Sequence, residues 1–127
     1  MKNGFNKIAR DFNLSLIVLF GSVADDVANA ESDVDIAILP KTKLSFKREL
    51  SLRFLLSSRL GKETDLSLLD KFEPLLNAEV AQHGKLLAGN KRAFNHFKVQ
   101  AMKQYMDFEP YFKMRENNVK KLIKSYA

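Results

Sequence analysis

The apolar run Leu16–Phe20 constrains the fold of this chain more than any other feature. It ends at Gly21, and a short apolar run closed by a glycine is typical of a buried central strand. Ten residues separate Ser22 from Asp33, which begins a segment in which polar or small residues alternate with apolar ones. That alternation predicts a second strand. A core built on a sheet follows from these two strands.

Helical and extended patterns alternate along the rest of the chain. The sequence predicts helices over residues 2–13, 45–60, 74–83 and 90–125, and strands over residues 64–69 and 85–88. The segment from Val23 to Asn29 can also begin a helix. Helices alternating with strands indicate an α/β (α+β) structure. We expect a core over residues 1–89 and a C-terminal helical extension, residues 90–127, packed on that core within one domain.

Local signals define the ends and faces of the predicted helices. Ser45 is a plausible N-terminal cap, after which Phe46, Leu50 and Phe54 recur at the helical period and predict an apolar face. Two glycines, Gly61 and Gly84, predict left-handed residues after the helices that precede them. In the last helix a break is predicted before Pro110.

Composition excludes several classes of protein. The chain of 127 residues has no cysteine, which excludes disulfides, thiolate metal sites and cysteine nucleophiles. The N-terminus does not resemble a secretory signal, and the longest apolar run is far too short to span a membrane. We therefore expect a cytoplasmic protein.

The excess of positive charge lies entirely in the C-terminal extension. Residues 90–127 hold nine basic and three acidic side chains, whereas residues 1–89 are neutral overall. A basic segment of this kind has three interpretations: a helical face exposed to solvent, a surface that binds nucleic acid, or a surface that binds a protein partner. A row of aromatic residues in this extension favours a protein partner over direct binding of nucleic acid. The row is formed by Phe97, Tyr105, Phe108 and Phe112.

Asp33 and Asp35 carry the strongest chemical signal. They are two residues apart in a predicted strand, so their carboxylates leave the same face and repel each other unless a cation lies between them. Oxygen-ligated Mg²⁺ is the obvious candidate. Gly21 and Ser22 occupy a strand-to-helix turn, where backbone amides and a hydroxyl favour a phosphate. Asp65 could add a third carboxylate, and three carboxylates around two metal ions suit in-line nucleotidyl displacement.

The alternative interpretation is structural, with Asp33 at a solvated strand entry and Gly21-Ser22 in an ordinary turn. Asp35 does not fit it, because it lies between Val34 and Ile36 in a strand too apolar for the edge of a sheet. His83 most resembles a polar residue at the end of a helix.

The Gly-Ser pair, the ten-residue gap and the Asp-x-Asp triplet resemble the hallmark of minimal nucleotidyltransferases of the DNA polymerase β superfamily. Asp65 falls where that family has its third catalytic aspartate. Three later segments, Phe72–Leu76, Gly84–Leu87 and Tyr105–Pro110, resemble landmarks of the MntA-type antitoxins. The resemblance therefore covers essentially the whole chain.

This resemblance implies a nucleotidyltransferase fold with a small mixed sheet flanked by helices. It also implies an antitoxin that transfers AMP from ATP to a tyrosine of a HepT-like HEPN ribonuclease toxin. In that family, Asp33 and Asp35 would bind two Mg²⁺ ions, and Asp65 would complete one metal site and help to take the acceptor's proton. Gly21 and Ser22 would hold the β- and γ-phosphates.

One pair of residues departs from the family pattern. Many relatives have Arg-Gly where this chain has Asp25-Asp26, and an arginine there would contact the triphosphate. The departure leaves open a second function, in which the protein neutralises the toxin by binding alone. Transfer to a small molecule is a third function, although such enzymes add a larger acceptor-binding domain. The presence of all three aspartates favours the protein adenylyltransferase.

Overall fold

The computed structural model describes residues 2–21 and 33–126. In chain order the elements are α1 (Lys2–Asp11), β1 (Leu14–Phe20), β2 (Val34–Pro40), α2 (Phe46–Leu60), β3 (Thr64–Leu68), α3 (Pro74–His83), β4 (Lys85–Ala88) and α4 (Lys91–Tyr126). These elements confirm the predicted mixed α and β fold class. The helix predicted over residues 23–29 lies outside the described residues.

The four strands form one mixed sheet in the order β3-β2-β1-β4. β1 pairs in antiparallel fashion with β2 and with β4, whereas β2 and β3 are parallel. A parallel pair needs a crossover connection, and α2 supplies it. The two strands predicted from the apolar runs, β1 and β2, are the two central strands.

Helices cover both faces of the sheet. The cluster on one face joins α1 and α2 to Val34, Ile36 and Ile38 of β2. The cluster on the other face joins α3 and α4 to Ala37 of β2. Because side chains alternate between the faces of a strand, Asp35 belongs to the face that carries α3 and α4.

α2 buries a different side from the one predicted. Phe46, Leu50 and Phe54 are 74%, 49% and 78% exposed, whereas Leu52 and Leu56 are fully buried. The two rows both repeat every four residues and lie on opposite sides of the helix, so only one of them can face the sheet. The prediction of the apolar face was therefore wrong, and it leaves an exposed apolar row on α2.

The ends of α2 confirm the capping prediction. The Ser45 hydroxyl accepts a hydrogen bond from the backbone N–H of Arg48. Gly61 follows the helix in the left-handed region, with φ of 70°. Gly84 ends α3 as predicted, with its N–H donating to the oxygen of Val80, but the left-handed conformation predicted for it was wrong because its φ is −69°. Glycine is required there by close packing instead, because a Cβ atom would contact the carbonyl oxygen of Val80.

α4 continues without a break through Pro110, so the predicted break was wrong. Proline removes one hydrogen bond within the helix, but the long helical segments before and after Pro110 keep α4 continuous. Phe97 is buried against the sheet. Phe108 packs edge-on against Phe72, with ring centroids 4.9 Å apart, and also lies next to Phe112. Most of the predicted aromatic row therefore packs within the chain.

Among the described residues, no helix has an apolar stretch long enough to cross a membrane.

Candidate active site

The end of β1 and the beginnings of the other three strands meet at one end of the sheet. Asp35, the second residue of β2, pairs with Phe20 at the end of β1 and with Asp65 at the start of β3. The first pairing is antiparallel and the second is parallel, so the end of β1 and the beginnings of β2 and β3 share an edge. Asp33 lies just before β2. The fold thereby brings Gly21, Asp33, Asp35 and Asp65 to the same end of the sheet.

Gly21 is shaped to accept the Asp35 side chain. Its φ is 76°, in the left-handed region that side chains with a Cβ atom disfavour. A Cβ atom built on Gly21 would also collide with Oδ2 of Asp35. The Asp35 carboxylate therefore lies directly over the backbone of Gly21, which only glycine permits.

Negative charge accumulates around Asp35. Burial raises the pKa of the Asp35 carboxyl above its ordinary value, and the charges of Asp65, Asp33 and Glu79 raise this pKa further. Each of these effects disfavours the ionised form. A cation placed near Asp35 would reverse the balance, because opposite charge stabilises the carboxylate.

Arg53 of α2 provides positive charge at the edge of this acidic region. Its Nη2 atom lies 3.7 Å from Oδ1 of Asp65 and 3.8 Å from Oε1 of Glu63. Its Nε atom donates a hydrogen bond of 2.8 Å to the backbone oxygen of Thr64. All three partners belong to, or immediately precede, the beginning of β3.

The chemistry of these side chains fits magnesium. Carboxylate oxygens are the protein ligands that Mg²⁺ prefers, and Mg²⁺ commonly binds through one or two carboxylates together with substrate phosphates. Within residues 2–21 and 33–126, no three acidic or histidine side chains converge closely enough to form a complete metal cage.

The sequence pointed to some of these residues and missed others. Ser22 and Asp25-Asp26 lie outside the described residues. Arg53 and Glu79 were missed, because each lies on a helix and reaches the site only through the tertiary fold. The only signal for Arg53 is indirect, since a crossover helix necessarily runs beside the strand that follows it.

Comparisons with known proteins identify the family of this chain. The family model described as polymerase beta, nucleotidyltransferase matches residues 4–93. The protein adenylyltransferase MntA of Shewanella oneidensis is 31% identical over 110 residues, which are 85% of this chain and 79% of that protein.

Solved structures extend the similarity to nearly the whole chain. A toxin–antitoxin crystal structure with AMP-PNP matches with a TM-score of 0.82 and 29% identity, over 93% of this chain and 97% of that chain. The structure of a tri-AMPylated Shewanella oneidensis HEPN toxin with its MNT antitoxin matches with a TM-score of 0.75 and 28% identity, over 93% and 94% of the two chains. The residues gathered around Asp35 thus lie within the part of the chain that the family model covers, and this protein belongs to the polymerase beta nucleotidyltransferase family, in which it resembles the MntA-type antitoxins.

Proposed function

We propose that this protein is the antitoxin of a toxin–antitoxin pair and a cytoplasmic, Mg²⁺-dependent protein adenylyltransferase. It transfers AMP from ATP to a tyrosine of a HEPN-type ribonuclease toxin and thereby neutralises the toxin. The observation that carries the proposal is the position of Asp35, paired with Asp65 and lying over Gly21. The similarity to the protein adenylyltransferase MntA, and to the antitoxin found with a tri-AMPylated HEPN toxin, supports a toxin as the acceptor.

The proposed reaction exchanges one bond to phosphorus for another. The phenol oxygen of the acceptor tyrosine attacks the α-phosphorus of ATP and forms a new O–P bond. The bond from the α-phosphorus to the oxygen that bridges to the β-phosphate breaks, and pyrophosphate leaves. Because tyrosine has a pKa of about 10, its proton must be accepted as the bond forms. Asp65 is the proposed acceptor of that proton.

The other site residues would hold the nucleotide. Asp33, Asp35 and Asp65 would bind two Mg²⁺ ions, which supply charge stabilisation for the attacking and leaving oxygens. Gly21 and Ser22 would hold the β- and γ-phosphates at the turn after β1. The missing Cβ atom of Gly21 supports this arrangement, because it lets the Asp35 carboxylate lie directly beside the turn that would hold the phosphates.

Transfer of AMP to the toxin tests this function. The protein is incubated with its HEPN-type partner, Mg²⁺ and ATP labelled at the α- or at the γ-phosphate. We expect the α-label alone to enter the toxin and the ribonuclease activity to fall with it. A toxin silenced without any label would instead establish neutralisation by binding alone.

The end of α4 is our proposed surface for the partner. Residues 113–125 are all exposed, and Val119, Leu122 and Ile123 lie on one side of the helix at 50%, 57% and 65% exposure. Their spacing of three and four residues is that of a single helical face. This apolar face, within the extension over residues 90–127, fits a protein partner better than a nucleic acid.

Replacing two residues of this face is expected to weaken the complex. The double substitution Leu122→Ser/Ile123→Ser should raise the dissociation constant for the HEPN partner at least about tenfold, because each apolar side chain contributes about 1.5–3 kcal/mol when buried. The matched substitution Lys121→Ser/Lys124→Ser should have little effect at about 0.3 M salt, where exposed charges are screened. Calorimetric titration at low and moderate salt measures both. Unchanged partner affinity in the first variant, with RNA binding lost in the second, would favour a nucleic-acid surface.

A further inference from the structure

The edge of β3 that faces away from β2 is hydrogen-bonded to side chains of α2. β3 pairs with β2 on one side, where the backbone oxygen of Glu63 accepts a hydrogen bond from Val34. Adjacent residues of a strand alternate in the direction of their backbone groups, so the N–H and C=O of Thr64 point to the other side. There the N–H of Thr64 donates to the Ser57 hydroxyl at 3.1 Å, and its oxygen accepts from Nε of Arg53 at 2.8 Å.

Arg53 differs from Ser57 in making a second contact. Its guanidinium is a rigid plane, so the hydrogen bond from Nε restricts the position of Nη2. Nη2 lies 3.7 Å from Oδ1 of Asp65, beyond hydrogen-bond length, so the attraction to that carboxylate is electrostatic. One side chain therefore pins the backbone beside Asp65 and attracts the Asp65 carboxylate.

We infer that Arg53 is the positioning residue of Asp65. The inference deepens the proposed function and rests on it, because it concerns how one proposed metal-binding carboxylate is oriented. Binding the edge of β3 alone requires only a neutral donor to the oxygen of Thr64. The charge of Arg53 is unnecessary for that purpose and acts on the carboxylates of Asp65 and Glu63.

The role of Arg53 has a signature that a merely structural role lacks. If Arg53 acts through Asp65, replacing it changes cation binding only while the Asp65 carboxylate is present. If it only fixes the edge of β3, any change is the same with or without that carboxylate. A double-mutant cycle separates the two cases. Arg53→Gln keeps a neutral donor for Thr64 and removes the charge.

The cycle is measured as Mn²⁺ binding by electron paramagnetic resonance, with the wild-type protein, Arg53→Gln, Asp65→Asn and the double variant. We expect Arg53→Gln to change the Mn²⁺ dissociation constant at least about threefold in the wild-type background and not in the Asp65→Asn background. Equal changes in the two backgrounds, or no change in either, would overturn the inference. The titration needs no acceptor, so it remains informative even if the toxin proves not to be the substrate.

Ser57→Ala is the matched control, because it removes the other hydrogen bond to Thr64 without altering charge. It should lower the melting temperature at least as much as Arg53→Gln, which keeps a donor for Thr64, and it should leave Mn²⁺ binding unchanged. AMP transfer at saturating Mg²⁺ should fall at least tenfold in Arg53→Gln and less than twofold in Ser57→Ala. Equal losses of transfer in these two variants would show that fixing the strand edge accounts for the whole effect.

Discussion

Asp35→Asn is expected to abolish AMP transfer while preserving the fold. The amide occupies nearly the same volume as the carboxylate, so the packing over Gly21 survives. It removes, however, the charge at the centre of the proposed metal site. We expect the transfer rate to fall at least about a thousandfold at saturating ATP, the upper range for losing one charge-stabilising group. A rate within tenfold of wild type would contradict the role assigned to Asp35.

The same substitution is expected to stabilise the metal-free protein at neutral pH. Burial, together with the charges of Asp65, Asp33 and Glu79, raises the pKa of the Asp35 carboxyl. The folded state therefore binds this proton more tightly than the unfolded state, and the contribution to stability falls as pH rises from about 4 through the raised pKa. In the presence of a chelator, Asp35→Asn should melt at least about 2 °C above wild type at pH 7, and the difference should vanish below about pH 4.

Asp70→Asn is the control for both measurements. Asp70 is exposed and lies just beyond the C-terminal end of β3, at the opposite end of the sheet from Asp65. Asp70→Asn makes the same change of net charge as Asp35→Asn. It should leave the transfer rate unchanged and should not raise the melting temperature at pH 7 above that of wild type. A similar gain in stability from Asp70→Asn would attribute the effect to net charge instead of local repulsion.

Gly21→Ala is expected to cause the second large loss, in both stability and activity. A left-handed backbone costs an alanine about 1–2 kcal/mol. The added methyl group also collides with the Asp35 carboxylate, and relieving such overpacking costs about 1–3 kcal/mol more. Because the carboxylate must move to relieve it, AMP transfer should be lost even in the molecules that fold. Urea unfolding and the labelled-ATP assay measure the two effects.

Gly61→Ala isolates the cost of the backbone. Gly61 has a similar φ of 70°, but a Cβ atom there would meet no other atom within 4 Å. The excess destabilisation of Gly21→Ala over Gly61→Ala therefore measures the contact with Asp35. This excess should shrink in an Asp35→Ala background, where the colliding oxygen is absent. Equal costs for the two glycine substitutions would show that the contact is unimportant.

The central features of the fold could be predicted because they depend on short stretches of sequence. Leu16–Phe20 is apolar on both faces, which only a central strand tolerates, and the structure places β1 there. Ser45 and Gly61 cap a helix by local backbone chemistry. The proximity of Asp35 and Asp65 also follows from local elements, because a helix between two parallel strands brings the beginnings of both strands to the same edge.

Other features could not be predicted because they depend on which surfaces meet. α2 has two apolar rows, and nothing in its own sequence decides that Leu52 and Leu56 face the sheet. Gly84 ends α3 without a left-handed backbone, and its lack of a side chain serves the packing beside Val80. Arg53 precedes Asp65 by twelve residues and becomes its neighbour only through the position of the helix beside the free edge of β3.

Because α4 is continuous, its exposed C-terminal part forms a long helical arm. The thirteen exposed residues from 113 to 125 extend about 20 Å at the helical rise, farther than the radius of gyration of about 14 Å expected for a domain of this size. A partner bound at the end of α4, as we propose, would be tethered to this chain, and the tether would raise the local concentration of its acceptor tyrosine around the molecule. The proposed catalytic site would then need little affinity of its own for the tyrosine. A free peptide with the same acceptor sequence would be a poor substrate. This weak affinity for the tyrosine alone would confine AMP transfer to the toxin already bound.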